Sequence, residues 1–520
     1  MARAERLGAL LLARRRSAPA ALVAGYALLI AAWALANPPF ASPDEWSHYV
    51  RAVGIAAGDP IGDSVSTRPR PPRSVADARR QDWVRKGERA VTMPPGLWTT
   101  RLDCNGGKPD VSAACLDALP DPAPTDVVVA TPVGNYQPLP YVLPGLAARR
   151  ASDPETADRL GRLVAAAACL GFIAFAVFTI VSPDAGRLAL LGPLAALTPM
   201  TLFVSSSLSP SGLEIASGLA FAAGLLRLSR GNVASSRVWA GTAIAGATLA
   251  LSRSPGPLWV VLLLVVAVAL APSIFTAPAV RRRTVAAGAA VATATVLSFA
   301  WETAEGSRLP LRAEAVDPGI AGGIDRLPSV MIEVVGVFGS LDSLMPQAVS
   351  RAWQELVVAL IVLAAVAAAT RRERLVLAAG VGLALAVPVA LSAVFRTGTG
   401  FDVQGRHVLP FVLVLPLLAA ELLVRHRDRL PFDPASLVPW IAPFVAGVHL
   451  FAWYWNARRQ AVGADGPLRF LGVAEWAPPL GWWPWLAVAA AGALLVALAP
   501  VLFRPAPAPG VTARSADAPP

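Results

Sequence analysis

Two adjacent carboxylates follow the first apolar stretch of the chain and are its most evident candidates for chemistry. Asp44 and Glu45 come directly after Pro43, and His48 follows Asp44 by about one helical turn. An ionised carboxylate can accept the proton of an attacking hydroxyl as a general base. In an extended segment the two side chains would point to different faces, whereas a helix that starts at Pro43 would hold them in its first turn. In such a first turn the carboxylates would have a structural role instead of a catalytic one, because they would interact with the positive end of the helix dipole.

The remaining candidates are polar side chains beside or just inside apolar stretches. They are two arginines, a second histidine, two side chains that precede the second stretch and two further acids: Arg253, Arg406, His407, Tyr136, Gln137, Glu214 and Asp342. Arginine near a helix end in a membrane commonly snorkels toward water, and an acid at a helix N-terminus commonly interacts with the dipole. Each candidate therefore has a structural alternative to a functional role.

The elements that must position these residues are membrane-spanning helices. Of the 520 residues, 55% are hydrophobic and only 15% are charged, whereas soluble domains carry about 25% charged residues. The apolar residues form uncharged runs of about 15 to 22 residues, the length that a helix needs to cross ~30 Å of hydrocarbon. This composition excludes a water-soluble protein and predicts an all-α polytopic membrane protein.

We predict about twelve spans, the fifth of which is short and runs into the sixth, so that the number could fall by two. They cover Pro19 to Ala36, Leu160 to Val181, Leu188 to Leu208, Gly212 to Leu228, Val238 to Ser252, Gly256 to Phe275, Thr284 to Trp301, Ala352 to Thr370, Leu375 to Phe395, Val408 to Val424, Leu437 to Trp455 and Trp483 to Phe503. Residues 1–503 then form a single transmembrane domain. The Pro- and Ala-rich segment 504–520 is predicted to be a disordered cytoplasmic tail.

Arginine clusters between the apolar runs predict the orientation. The formal net charge of +11 would suit nucleic acid if the basic residues shared one soluble face, but they lie in short clusters between spans. We therefore expect no nucleic-acid partner. Five clusters fall on the cytoplasmic side if the N-terminus is cytoplasmic, as the positive-inside rule requires. The sequence thus predicts a multi-pass protein of the cell membrane with both termini in the cytoplasm.

Two predicted external loops are too long to be simple connections. The first covers residues 37–159 and the second 302–351, well beyond the ~12 to 15 residues above which a loop is usually functional. Within the first, the basic stretch from Arg73 to Arg89 is compatible with a helix, either interfacial or with a solvated face. The apolar run from Pro138 to Ala148 is too short to span and suits a helix in the outer interface.

Two of the three cysteines, Cys104 and Cys115, lie in the first external loop. An oxidising exterior permits a disulfide between them, and the short separation makes closure easy, so we predict a structural disulfide. Cys169 lies inside an apolar run and is expected to pack there. The sequence has no Cys and His cluster with zinc spacing, no P-loop and no dinucleotide-binding glycine motif.

Several motifs together resemble the uncharacterised DUF2142 family of membrane proteins. The segment Pro43-Asp44-Glu45-Trp46-Ser47-His48-Tyr49, followed by Arg51-Ala52, is similar to the pattern that follows the first span in that family. Further similar positions are Gly134 to Tyr141, Ser209 to Glu214, Phe338 to Asp342 and Gln404 to His407. The resemblance covers most of the chain and places the candidate residues, apart from Arg253, within shared motifs.

That family in turn resembles the GT-C glycosyltransferases at the level of the fold. These multispan enzymes have a carboxylate in the first external loop and use a polyprenyl-phosphate sugar as donor. The resemblance implies a GT-C-like transmembrane domain, with Asp44 as the base that activates an acceptor hydroxyl and Glu45 as the alternative, usually with inversion at the anomeric carbon. It also implies groups that bind the donor phosphate, for which Arg406 is the first candidate because guanidinium binds phosphate in bidentate fashion.

The resemblance implies roles for the other candidates. His407, His48 and Arg253 are secondary candidates for the donor phosphate, while Tyr136, Gln137, Glu214 and Asp342 are expected to line the cavity or contact the acceptor. Some GT-C enzymes use a divalent cation, and dispersed carboxylates neither require nor exclude one here, so no cofactor is assigned. If Asp44 and Arg406 flank the donor and the acceptor, their separation should be roughly 8 to 14 Å.

The sequence therefore predicts a membrane glycosyltransferase, which transfers a sugar from a polyprenyl-phosphate donor to an extracytoplasmic glycan or lipid acceptor during envelope assembly. Two alternatives stay open. One is a transporter or flippase of envelope precursors, although the chain has no obvious repeated halves of the kind that transporters often show. The other is a non-catalytic membrane scaffold whose outer loop binds a partner.

Overall fold

In a computed structural model of the chain, the described residues are 17–65, 69–182, 185–231, 235–272, 277–306 and 316–503. The predicted cytoplasmic tail 504–520 lies outside the described residues. The α-helices are α1 (Ser17–Ala36), α2 (Glu45–Ala56), α3 (Val75–Gly87), α4 (Leu139–Ala148), α5 (Pro154–Ile180), α6 (Leu191–Ala196), α7 (Pro199–Ser205), α8 (Pro210–Leu228), α9 (Ser236–Ala250), α10 (Gly256–Leu270), α11 (Arg281–Ala304), α12 (Val316–Val335), α13 (Gln347–Ala367), α14 (Arg371–Thr399), α15 (Gly405–Val412), α16 (Val414–Arg425), α17 (Val438–Val462) and α18 (Trp482–Leu498). The strands are β1 (Asp63–Ser64), β2 (Arg89–Met93), β3 (Val127–Thr131), β4 (Val337–Phe338) and β5 (Ser343–Leu344).

The structure is that of an all-α polytopic membrane protein, but fewer than twelve helices reach spanning length. Among the described residues, eight helices are long and apolar enough to cross a membrane: α1, α5, α8, α11, α13, α14, the continuous pair α15 and α16, and α17 with its preceding turn. The apolar helices α10 and α18 have 15 and 17 residues, and α9 has 15. At 1.5 Å per residue they measure about 22 to 26 Å, which is less than the ~30 Å hydrocarbon core. The predicted number of twelve is therefore not confirmed.

The predicted third span is a broken helix. It consists of Arg187–Ala196 and Pro199–Ser205, which meet at 68°, and it makes a ninth span if the pair crosses together. Pro199 lacks a backbone N–H, and its ring forces Thr198 into an extended conformation, with φ −70° and ψ 160°. The Thr198 side chain then accepts a hydrogen bond from the backbone N–H of Thr201 and caps the second half.

The first long loop is a folded unit with its own hydrophobic core. Its strands form an antiparallel sheet in the order β1-β2-β3. Helix α2 packs against this sheet and against α4, and the buried side chains of Tyr49, Val91 and Tyr141 belong to the core between them. A Cβ atom on Gly145 would lie 2.0 Å from the carbonyl oxygen of Ala52, so α4 can approach α2 this closely only with glycine there.

Both helices expected in this loop are present. Ser74 caps α3 by accepting a hydrogen bond from the backbone N–H of Asp77, and Pro138 precedes α4, which has 10 residues and cannot span. The predicted disulfide between Cys104 and Cys115 is also formed. The second long loop contains α12 and the hairpin of β4 and β5. Both loops are therefore structured where they are described.

Candidate active site

A cavity of about 330 Å³ opens where the two long loops meet the ends of several apolar helices. Its walls come from the segment before α2, from α3, from the end of α14 and from the start of α15, among other segments. Six of the predicted site residues line it: Asp44, His48, Tyr136, Arg253, Arg406 and His407. Cavities of 300 Å³ and above are the size that accommodates small ligands.

Asp44 presents its carboxylate to this cavity because of an unusual backbone conformation. It is the N-cap residue of α2 and has φ 59° and ψ 15°, in the left-handed region that non-glycine residues rarely occupy. Its side chain is 61% exposed, and this exposure is toward the cavity that Asp44 lines. The Asp44 carboxylate is thus open to water and to any hydroxyl that enters.

The neighbouring acid, Glu45, has no exposed surface and serves the fold. Its carboxylate accepts two hydrogen bonds from Arg162, at 2.8 and 2.5 Å, and two more from the backbone N–H groups of Leu208 (2.8 Å) and Ser42 (3.0 Å). Arg162 also forms an ion pair with Asp158 at 3.0 Å. Glu45 does not line the cavity, so the alternative assignment of the base to Glu45 is wrong for this arrangement.

The electrostatics of the two acids follow from their partners. The protein that encloses the cavity partly desolvates the Asp44 carboxylate and so tends to raise its pKa, but the charge and hydrogen bond of Arg406 outweigh this effect and hold the pKa below its ordinary value. Burial likewise tends to raise the pKa of Glu45, and the charge and hydrogen bonds of Arg162 reverse that effect. Both carboxylates are therefore ionised at neutral pH.

Arg406 lies much closer to Asp44 than we expected. Its Nη2 donates a hydrogen bond to Oδ2 of Asp44 at 3.1 Å, so the expected separation of roughly 8 to 14 Å is wrong for this state. The Arg406 side chain is only 7% exposed, and its Nε has no hydrogen-bond partner among the described residues. A Cβ on Gly405 would lie 2.4 Å from the backbone of Glu333, so this glycine allows α15 to begin against α12 and fixes where Arg406 enters the cavity.

Arg253 brings a second guanidinium to the cavity from the turn between α9 and α10. Its Nη1 is hydrogen-bonded to Glu214 at 3.2 Å and to the Ser211 hydroxyl at 3.4 Å. Glu214 also accepts a hydrogen bond from the Trp259 indole at 3.0 Å and is completely buried. Glu214 is therefore not a cavity-lining residue, contrary to expectation, and instead orients Arg253.

The two histidines of the cavity are hydrogen-bonded and surrounded by aromatic rings. Nδ1 of His48 lies 2.9 Å from the Tyr141 hydroxyl, and burial lowers the pKa of His48 to about 3, so the ring is neutral. His48 can therefore offer a donor phosphate a hydrogen bond but no charge. Nδ1 of His407 accepts from the backbone N–H of Gln404 at 3.3 Å, which leaves the proton of a neutral ring on Nε2. The His407 ring packs against Phe395.

Gln137 and Asp342 lie outside the main cavity. The Gln137 amide donates to the Ser298 hydroxyl at 2.6 Å and faces a side pocket of about 50 Å³, which also contacts Tyr136 and Arg253. Asp342 forms a buried ion pair with Arg459 at 2.6 Å. Because Arg459 also donates to backbone carbonyl groups of the disulfide-bonded segment, Asp342 holds that segment in place. The expectation that Asp342 lines the cavity is wrong.

The described residues do not fit a resident divalent cation. No group of three or more His, Cys, Asp and Glu side chains in the described ranges could hold a metal ion. The exposed carboxylate of Asp44 is already paired with Arg406. Hard cations take six or more oxygen ligands, several of them usually carboxylates, and the arginines supply none.

Aromatic side chains form much of the cavity wall, and the sequence did not single them out. They are Phe40, Trp46, Trp83, Phe395 and Phe401, which join the predicted residue Tyr136. Trp83 belongs to the basic helix α3, so that helix covers one side of the cavity with an apolar face. The signal available in the sequence was the lone tryptophan within an otherwise charged stretch.

Comparison with known proteins identifies one family. The profile described as "Predicted membrane protein (DUF2142)" matches residues 27–415, which is well over half of the chain and includes every residue of the cavity named above. No curated protein and no solved structure matches the chain.

Proposed function

The chain belongs to the DUF2142 family of predicted membrane proteins, and from that premise we propose that it is a GT-C-like glycosyltransferase. It transfers a sugar from a polyprenyl-phosphate donor to an extracytoplasmic glycan or lipid acceptor, and both termini are cytoplasmic. The observation that carries the proposal is an accessible carboxylate, Asp44, which is paired with Arg406 in a cavity that also contains the guanidinium group of Arg253. This combination supplies a base and a site for a phosphate leaving group.

The reaction is a displacement at the anomeric carbon. Asp44 accepts the proton of the acceptor hydroxyl, whose oxygen forms a bond to that carbon as the bond from the carbon to the phosphate oxygen breaks. The electron pair leaves with the polyprenyl phosphate, and the configuration inverts. The lowered pKa of Asp44 keeps the carboxylate ionised before attack.

Arg406 and Arg253 stabilise the charge that develops on the departing phosphate. Buried guanidinium groups are suited to this task because they remain charged and bind phosphate oxygens through several N–H groups. The hydrogen bond between Arg406 and Asp44 gives the order of events. When the donor phosphate binds Arg406, it competes with Asp44 for Nη2 and releases the carboxylate to accept a proton.

The cavity wall suits a sugar. Trp46 and Trp83 present flat apolar faces, and tryptophan combines such a face with an N–H donor. Asp103 also lines the cavity, where its carboxylate can accept hydrogen bonds from sugar hydroxyls. A volume of about 330 Å³ is at the lower end of ligand sites, which fits one sugar unit with the lipid outside the cavity.

Turnover is measured with the protein in nanodiscs and a panel of polyprenyl-phosphate sugars that carry a radiolabelled sugar. Wild-type protein should move label to an acceptor in a membrane-glycan extract, and Asp44→Asn should abolish this. Asp402→Asn is the matched control, because Asp402 is another exposed carboxylate that lines the same cavity. Unlike Asp44, Asp402 pairs loosely with Arg396, at 3.7 Å. Loss of activity in both variants would contradict the role of Asp44.

The transporter and scaffold hypotheses make different predictions in the same reconstituted system. A flippase would move labelled lipid across the bilayer without forming product, and a scaffold would do neither. The structure does contain buried charges within apolar helices, such as Glu421 with Arg230 at 2.7 Å, but these form closed ion pairs. Closed pairs of this kind stabilise helix packing and do not by themselves provide a substrate path.

A further inference from the structure

An apolar groove of about 640 Å³ lies between α10 and α14, away from the cavity. Its walls are formed by Val265, Val266 and Ala269 of α10 and by Leu375, Ala379 and Leu383 of α14. Val265 and Leu375 are more than half exposed. Since α14 has the length and composition of a membrane span, we expect this groove to face the lipid, where its walls suit an apolar chain.

One end of the groove is strongly basic. Arg371 and Arg372, the first two residues of α14, line it there. Nε of Arg372 donates to the carbonyl oxygen of Ala269 at 2.6 Å, near the end of α10, where the last carbonyl groups lack partners within the helix. This contact fixes the guanidinium between the two helices, and no other residue of the described ranges bonds its remaining N–H groups, which can therefore bind a ligand.

The nearest acid on the same helix does not neutralise these arginines. Glu373 is engaged in the helix cap, where it accepts from the backbone N–H of Thr370, and it lies 2.8 Å from Nε2 of His426. The groove therefore combines an apolar floor with two guanidinium groups at its end. Charge and shape together match a lipid with an anionic headgroup.

We propose that this groove binds one anionic glycerophospholipid, with its phosphate at Arg371 and Arg372 and an acyl chain along the apolar walls. The polyprenyl-phosphate donor is not the occupant. The other end of α14 carries Phe395 and Thr399 to the cavity, about 27 residues and hence roughly 40 Å from Arg372. A donor whose phosphate lies at Arg406 has its headgroup at that opposite end. The lipid site is thus independent of the chemistry proposed for the cavity.

The test is native mass spectrometry of delipidated, detergent-solubilised protein, titrated with phosphatidylglycerol or with phosphatidylcholine of identical acyl chains. Wild-type protein should retain one phosphatidylglycerol in clear preference to phosphatidylcholine. Each arginine near an anionic group contributes about fivefold, so Arg371→Gln together with Arg372→Gln should weaken binding about 25-fold. Arg371→Gln alone should weaken it about fivefold and leaves the contact between Arg372 and α10 intact.

Two further variants separate a shaped site from general attraction. Ala379→Trp fills the groove but keeps both arginines, and it should also abolish the bound lipid. Arg281→Gln together with Arg282→Gln removes two exposed charges from the start of another apolar helix and should leave binding unchanged. Equal binding of the two phospholipids, an equal loss in this control, or displacement of phosphatidylglycerol by stoichiometric polyprenyl phosphate would each overturn the proposal.

Discussion

Replacing Glu45 with glutamine should destabilise the protein far more than replacing its neighbour Asp44 with asparagine. The Glu45 carboxylate is fully buried and accepts hydrogen bonds from Arg162, from Leu208 and from Ser42. Glutamine has the same shape but presents an NH₂ group where donors already converge. It also leaves the buried charge of Arg162 with only one of its two carboxylate partners, Asp158.

The magnitude follows from these contacts. Removing one member of a buried ion pair costs about 3 to 5 kcal/mol, and the remaining partner Asp158 places Glu45→Gln near 3 kcal/mol. For a chain of this length, 1 kcal/mol lowers the melting temperature by about 1 °C, so we expect a decrease of about 3 °C. Asp44→Asn removes only an accessible ion pair, worth about 0 to 1 kcal/mol, and asparagine tolerates the left-handed backbone conformation. We expect a change of less than about 2 °C.

Intrinsic tryptophan fluorescence during heating, with both variants in the same detergent, measures the two melting temperatures. Gel filtration before heating verifies that each sample is monodisperse. The reasoning is refuted if the two substitutions lower the melting temperature equally, or if Asp44→Asn lowers it more. Either result would mean that the two adjacent acids do not divide structural and chemical roles as their surroundings indicate.

Three further predictions concern the cavity and the loop above it. Arg406→Lys keeps the charge but loses the planar guanidinium, so the KM for the donor should rise about tenfold or more in steady-state assays; an unchanged KM would remove Arg406 from the phosphate site. Cys104→Ser with Cys115→Ser should lower the free energy of unfolding by about 2 to 4 kcal/mol, measured as a lower melting temperature under non-reducing conditions. Burial lowers the pKa of His48 to about 3 in the folded protein. As the pH falls below about 6.5, His48 is therefore protonated in the unfolded state but stays neutral in the folded state, which lowers the free energy of unfolding. Between pH 6.5 and 5 the free energy of unfolding of the wild type should fall by about 2 kcal/mol more than that of His48→Gln. If the free energies of unfolding of the two proteins change in parallel with pH, His48 is not buried as described.

Local sequence signals were sufficient for the helices of the first loop. The helix-compatible basic stretch predicted α3 and the short apolar run predicted α4, both close to their observed bounds, and the structure adds the cap that Ser74 provides for α3. The same kind of signal was available at Pro199, where a proline inside a predicted span causes the observed break. Spanning length was harder to predict, because α10 and α18 end before the apolar sequence does.

The roles of the two adjacent acids depend on contacts that no local pattern contains. Glu45 meets Arg162, which is 117 residues away, and Asp44 meets Arg406, which is 362 residues away. The resemblance to a family placed Asp44 and Arg406 in related motifs, and the structure brings both to one cavity. Their direct ion pair could not be predicted, because the expected gap assumed a bound donor and acceptor between them. Glu214 and Asp342 were misassigned because their partners, Arg253 and Arg459, hold them in buried ion pairs.

Sugar transfer by Asp44→Asn, measured beside Asp402→Asn and wild-type protein in nanodiscs, tests the central claim most directly. A general base contributes about 10²- to 10⁴-fold to the rate, so Asp44→Asn should reduce turnover by at least about a hundredfold at an unchanged melting temperature, while Asp402→Asn keeps most of the activity. Turnover by Asp44→Asn within a few fold of the wild-type rate would contradict the assignment of this carboxylate as the base.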